Sequence, residues 1–393
     1  MREQIIHDID AMQEQLIRDS HEIHDHPETG NEEVFASALL MERLRAEGFQ
    51  VRQDIAGHPT GFIAEKASST PGPVIGYLAE YDALEGLGHG CGHNIIGVAS
   101  VGAAIALGRQ LETVGGTVRV FGTPAEEGGV NGSAKASYAA AGVFDGTDVA
   151  MMVHPSSYTQ RSAPAIAVAP TDFEFFGKSA HASAAPHEGI NALDAMILFY
   201  NGIGALRQQL EPDNQIHGII LDGGQAANII PDYTKARFYM RASTGNRLRT
   251  LIEKVYRIAD GAAAMTGTTV KYTPIQKMVE NLVPNRTLDE VFVKQMESIG
   301  EPVEPKIKKI VGSSDTGNAS HVLPTIQPTI AISDVELAPH SVEFREAAGS
   351  EKGERAVILS AKALALTGLA VLQDPELLKR IQEEFRENPE LRM

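Results

Sequence analysis

Apolar residues recur at helical spacing from the start of the chain: Ile5, Ile6, Ile9, Met12, Leu16 and Ile17 predict a helix over 1–20. A second helix is predicted over 33–47, ended by Gly48. Short apolar runs with nearby turn residues predict strands at 74–79, 117–121 and 149–153. Between them, 95–111 and 131–141 read as helices, the first so rich in Ala and Gly that tight packing is expected. Strands alternating with helices predict a mostly parallel sheet covered on both faces.

The pattern changes near residue 170. Strands at 171–176, 216–221, 233–241 and 269–273 are interleaved with helices at 190–210 and 246–265. This β-α-β-β-α-β order is ferredoxin-like. Helix 287–298, strand 328–332 and helix 351–373 then return to α/β character, and the tail 374–393 is polar and helical in composition. The fold class expected is an α/β catalytic domain over 1–169 and 276–393, interrupted by a smaller α+β domain over 170–275. The length agrees, because one core rarely grows beyond roughly 250–300 residues and this chain has 393.

Composition narrows the function. With 34 Lys+Arg against 51 Asp+Glu the net charge is −17, which argues against nucleic acid and against an anionic membrane as partner. The apolar stretches 95–108 and 363–372 fall short of the roughly 20 residues of a membrane helix. The beginning, MREQIIHDID, lacks the apolar core of a signal peptide. Cys91 is the single cysteine, so no intrachain disulfide can form. A cytoplasmic location is expected.

The densest chemical signal is Gly88-His89-Gly90-Cys91-Gly92-His93-Asn94. A lone Cys is more often a small buried hydrophobe. Here glycines flank it and histidines stand two residues away on each side. In an extended stretch 89, 91 and 93 share a face, and thiolate with imidazole suits zinc. Spacing leaves His89 and His93 open as the ligand. Glu126-Glu127 follows a predicted strand; a solvated turn is the plain alternative to one carboxylate on metal and its neighbour as proton acceptor. Asp82 and His154 also follow strands, and His340 comes after 328–332. The carboxyl ends of parallel strands are where α/β sheets bind ligands.

These residues resemble the metal-dependent aminoacylase and carboxypeptidase G family, in its amidohydrolase branch of hippurate, auxin-conjugate and aminobenzoyl-glutamate hydrolases and related dipeptidases. The matching pieces are His24-Asp25-His26-Pro27-Glu28, Glu80 to Leu84, Gly88 to Asn94, Pro124 to Glu127, His154-Pro155, Gly177 to Ala182, Gly223 to Asp232 and Pro339-His340-Ser341. The resemblance implies two divalent metal ions, zinc first, with manganese, cobalt or nickel as alternatives. One would take Cys91, His93 and His154, the other Cys91, Glu127 and His340. It implies Glu126 as general base and acid, and Asp82 as orienter of a ligand. It implies His181 as an oxyanion donor from a lid that also dimerises, and Asn228 and Arg241 as contacts to a substrate carboxylate. His89 would not be a ligand, and His24–Glu33 would be a structural signature.

The implied activity is hydrolysis of the amide bond of an N-acyl amino acid, an aminobenzoyl-glutamate-like conjugate or a dipeptide. The partners would be a small molecule with a free carboxylate and further copies of the chain, as homodimer or higher homo-oligomer. An aminopeptidase of the same fold and a non-catalytic binder of carboxylated amides are the alternatives. Asn94 in place of an Asp, Ser314-Asp315-Thr316-Gly317-Asn318 in place of a Glu-Asp-Phe segment, and Glu80-Tyr81 in place of an Ala-Asp-Met type of sequence depart from the branch pattern. They lean the resemblance toward its aminobenzoyl-glutamate hydrolase and dipeptidase side.

Overall fold

The structure, a computed structural model, describes residues 1–308 and 312–388, so the end of the expected helical tail lies outside the described residues. Its chain contacts form two units, Met1–Ala165 with Leu282–Met393, and Ile166–Asn281.

In the first unit the sheet runs in the order Gln50–Ile55, His58–Ala67, Thr117–Gly122, Val74–Ala79, Val149–Met151, Thr325–Ile326. The last four strands are parallel; the first two form an antiparallel hairpin along one edge. The sequence reading passed over this hairpin because its outer strand exposes Gln50, Arg52, Gln53 and Asp54. The turn Ala56-Gly57, with φ of 53° and 85°, is the signal that marks it.

The strand expected at 328–332 does not join that sheet. Thr329–Ala331 pairs in parallel with His154–Ser156 in a small separate sheet. Pro328 interrupts the ladder after Thr325–Ile326, because it has no N–H to give. The partner strand makes the same step, from Val149–Met151 to His154–Ser156.

Helix His93–Gly108 is buried along its whole length. It packs between the sheet and the helices Arg2–Asp25 and Glu351–Gln373. Ala and Gly let these elements approach closely, while Leu16, Val98, Leu364 and Leu369 fill the remaining space. One expectation is corrected here: Glu351–Gln373, 23 residues long, is long and apolar enough by composition to cross a membrane. Of its most apolar window, 78% is buried inside the protein, so the apolarity is taken up by the core.

The second unit is a four-stranded antiparallel sheet in the order Thr269–Pro274, Ala167–Phe176, Tyr233–Ala242, Gln215–Asp222. Helices Ala192–Arg207 and Gly245–Thr266 pack on its apolar face through Phe173, Phe199, Phe238 and Leu251. Its edges lie outside the expected 170–275. The first strand starts at Ala167, Val168 pairs with Val279, and Asn281 accepts from the Gly245 N–H.

Candidate metal centre

Several of the chemical residues of the first unit follow the end of a strand. Val74–Ala79 is followed by the buried Glu80, Tyr81 and Asp82. Thr117–Gly122 leads through Ala125 to Glu126 and Glu127. His154 opens its short strand. His340 precedes helix Val342–Ala348 and donates its backbone N–H to the Gly90 carbonyl at 3.0 Å.

The glycine loop turns rather than running extended as expected. Gly92, at φ 76°, caps the helix that begins at His93. A Cβ on Gly92 would meet Pro155 Cγ at 2.9 Å, so the turn needs glycine both for its conformation and for its space. This turn separates the two histidines. His93 enters the cluster, while the buried His89 stacks on His24 with ring centroids 6.2 Å apart.

Donor atoms of Cys91, His93 and His154 lie within 4.8 Å of one another, and so do those of Cys91, Glu127 and His340. Cys91 Sγ is 3.6 Å from His154 Nε2, and His340 Nε2 is 3.3 Å from Glu127 Oε2. Asp82 ties the group together: one oxygen lies 2.9 Å from His93 Nδ1, and the other accepts the Glu127 N–H at 2.9 Å. His154 Nδ1 sits 2.7 Å from the Pro155 carbonyl oxygen, which turns Nε2 toward Cys91. Glu126 Oε2 is 3.9 Å from His93 Nε2.

The residues fit a divalent cation. Among the described residues, the buried His93 Nε2 and Glu127 Oε1 meet no partner at good hydrogen-bond geometry, an arrangement that costs free energy unless something binds there. Burial, with Glu127 beside it, pushes the Cys91 thiol up. Burial, with Glu80 and Glu127 nearby, raises Glu126 well above the usual carboxylate range. Burial opposes charge on His93, but Asp82 and Cys91 outweigh it and favour a proton there. Burial comes first in each of these shifts, and the negative charge of neighbouring groups comes next. Thiolate, imidazole and carboxylate are the donor types that zinc accepts.

A second buried cluster adjoins the first. Lys135 Nζ lies 2.7 Å from Glu80 Oε1 and also pairs with Asp315, and all three side chains are fully buried. Glu80, Glu126 and Asp315 bring oxygens within 4.8 Å of one another, and Glu80 Oε2 is 3.5 Å from His93 Nε2. The sequence marks Glu80 both within a matching stretch and as a departure, and Asp315 as a departure, but gives Lys135 no role. The available signal was a lysine amid small residues in Ser133-Ala134-Lys135-Ala136-Ser137.

Of the sequence-predicted residues in the second unit, two are brought together. His181 bridges to Ile229, and the Ala182 N–H donates to the Asn228 carbonyl at 3.0 Å. His181 Nδ1 accepts from the N–H groups of Ser183 and Ala184 at 3.3 and 3.2 Å. Arg241 belongs to strand Tyr233–Ala242 instead, with its guanidinium 5.8 Å from the Tyr239 ring centre.

Residues 171–266 match the family model of the peptidase dimerisation domain. The chain is 37% identical to an Xaa-Arg dipeptidase of Mus musculus over 96% of its own length and 90% of that protein's. It is 35% identical to a chain of the p-aminobenzoyl-glutamate hydrolase of Escherichia coli, over 72% of this chain and 62% of that one. Among solved structures, a dinuclear metal binding peptidase of the M20 family from Bacillus subtilis shares the fold. It has a TM-score of 0.66 and 20% identity, with 93% of this chain and 99% of that chain covered. The sequence, from the glycine loop to the inserted domain, thus belongs to the amidohydrolase branch of the M20 peptidase family, whose members hydrolyse amide bonds.

Proposed function

We propose that this enzyme uses two divalent metal ions to hydrolyse an amide bond beside a free carboxylate. The substrate class is an N-acyl amino acid, an aminobenzoyl-glutamate-like conjugate or a dipeptide. The observation that carries the reading is Cys91, which stands in two donor triplets at once. Cys91, His93 and His154 would hold one ion, and Cys91, Glu127 and His340 the other. Bound there, such ions acidify a water and polarise a carbonyl.

The remaining chemistry belongs to the side chains. Glu126 takes the proton of the attacking water on its carboxylate and returns it to the leaving amine nitrogen. Asp82 fixes the His93 ring and the Glu127 backbone. His181 accepts at Nδ1, so in the neutral ring Nε2 carries the proton. That tautomer suits a donor to the oxyanion. Asn228 and Arg241 bind the substrate carboxylate, for which a guanidinium offers a matching fork. The names of the relatives support this choice: an Xaa-Arg dipeptide and p-aminobenzoyl-glutamate both end in a free carboxylate beside the scissile amide.

Two copies would join through the inserted domain. Edge strand Gln215–Asp222 exposes Ile219, Ile220 and Leu221, and helix Ala192–Arg207 exposes Ile197 and Leu198. An edge with such residues calls for a partner. The single, unpaired cysteine fits a cytoplasmic enzyme.

The test is amine release from N-acetyl amino acids, hippurate, aminobenzoyl-glutamate and dipeptides. Each is assayed with added zinc, manganese, cobalt or nickel. Turnover of at least one carboxylate-bearing amide, abolished by a chelator and restored by metal, is expected. Metal-independent turnover, or none with any metal, would sink the proposal.

A further inference from the structure

The segment between His24 and Glu33 stands apart from the donor cluster and takes no part in the chemistry above, yet its last residue is a buried carboxylate. Glu33 is wholly inaccessible to solvent. One of its oxygens accepts the Ala125 N–H at 2.9 Å and the other the Thr60 hydroxyl at 2.7 Å. Ala125 is itself buried and left-handed, at φ 57°. A non-glycine residue meets steric resistance in that region and stays there only when its surroundings hold it. The next two residues are Glu126 and Glu127.

Two neighbours of Glu33 grip the same turn. A Cβ on Gly30 would meet the Ala125 Cβ at 2.9 Å, so the two backbones touch only because position 30 is glycine. Asn31 donates from Nδ2 to the carbonyls of Val130 and Asn131 at 3.2 and 3.1 Å. The far end of the turn closes on Ala125, whose carbonyl accepts the Ser133 N–H at 2.7 Å.

We propose that Gly30, Asn31 and Glu33 clamp the turn that carries the tandem glutamates, with Glu33 as the positioning residue that keeps Ala125 left-handed. Relaxation of Ala125 to an ordinary conformation would redirect both Glu126 and Glu127. Glu33 touches no substrate and acts only through this backbone. Its kinetic consequence rests on the reaction proposed above; its structural consequence does not.

The test compares Glu33→Met, which fills the space without an acceptor, with Glu33→Gln, which keeps one, each with and without Ala125→Gly. Glycine enters the left-handed region without penalty, so it should replace what Glu33 supplies. Glu33→Met should lower kcat roughly 10- to 100-fold with KM held within about threefold, the scale of one hydrogen bond to a charged group. Hydrogen exchange over residues 123–133 should rise about tenfold or more, and a chelator should strip metal faster. Glu33→Gln should show the smaller change in each readout. Adding Ala125→Gly to Glu33→Met should recover about fivefold or more of the lost kcat and exchange protection. Identical behaviour of Glu33→Met with and without Ala125→Gly overturns the proposal, as does wild-type exchange in Glu33→Met. If Glu33→Met alone does not fold, the double variant must; failure of both makes Glu33 a general stability residue and overturns the positioning role. Exchange and metal retention need no turnover. An enzyme inactive on every amide would therefore refute the proposed reaction without touching this test.

Discussion

Two polar clusters lie side by side in the first unit, one fully buried around Lys135 and one that opens to the surface at His340, and they answer the same electrostatic problem differently. Glu80 and Asp315 share the ammonium of Lys135, which offsets one of their two charges from within. The Cys91, His93, Glu127, His154 and His340 cluster holds acidic groups and imidazoles with buried atoms left unpartnered. Burying charge costs several kcal/mol per ion unless it is paired. The first cluster carries a cation of its own, whereas the second, in the function proposed above, takes its cations from solution. Lys135 thus distinguishes the two, although Glu80 faces both.

The largest effect that would sharpen this contrast is catalytic. Glu126→Gln should cost about 10²–10⁴ in turnover, because the amide cannot take the proton. Both metals should stay bound, as measured by elemental analysis. Metal lost in step with activity would make Glu126 a ligand and redraw the boundary between the clusters.

Lys135→Met tests the other side. It leaves Glu80 and Asp315 buried without their cation and should destabilise the fold by about 3–5 kcal/mol in chemical denaturation. The loss should be present with or without chelator, since no metal answers that charge. A loss confined to the metal-loaded protein would mean that Lys135 serves the metal centre directly.

His181→Ala should lower turnover by about 10²–10³, the scale of one oxyanion donor, with metal content unchanged. If the lid acts across a dimer, mixing this variant with Glu126→Gln should restore about a quarter of wild-type activity. Random exchange makes about half the dimers mixed, each with one intact site. No recovery, with exchange verified by mass, would confine His181 to its own subunit or remove it from catalysis.

The gentlest probe is chemical. Cys91 should resist thiol reagents in the metal-loaded protein and react after chelation, because metal and reagent compete for the same sulfur. Equal labelling in both states would take Cys91 out of the centre and leave the two clusters alike.

Periodicity was a good guide wherever one face of an element meets a core. The strands that precede Asp82, Glu126 and His154 lie within two residues of where the apolar runs predict them. The second unit follows the expected strand and helix order throughout. Strand Gln50–Ile55 has no apolar run to mark it because an edge strand need not be apolar. Strand Thr329–Ala331 was legible, but its sheet was not: pairing partners are chosen in three dimensions, and Pro328 decided this one.

The chemistry available is legible from residue type and order alone. The chain sets out a lone cysteine between histidines, adjacent glutamates after a strand, and an inserted domain carrying His181, Asn228 and Arg241. These depend on residue type and order, which a chain displays directly. Only the tertiary structure decided between His89 and His93, because the left-handed turn at Gly92 sends one ring against His24 and the other into the cluster. The buried places of Lys135 and Glu33 are visible only in the fold. Each contacts residues remote in the chain, Lys135 reaching Asp315 and Glu33 reaching Ala125. An ion's role depends on whether water or an opposite charge surrounds it, and only folding sets that.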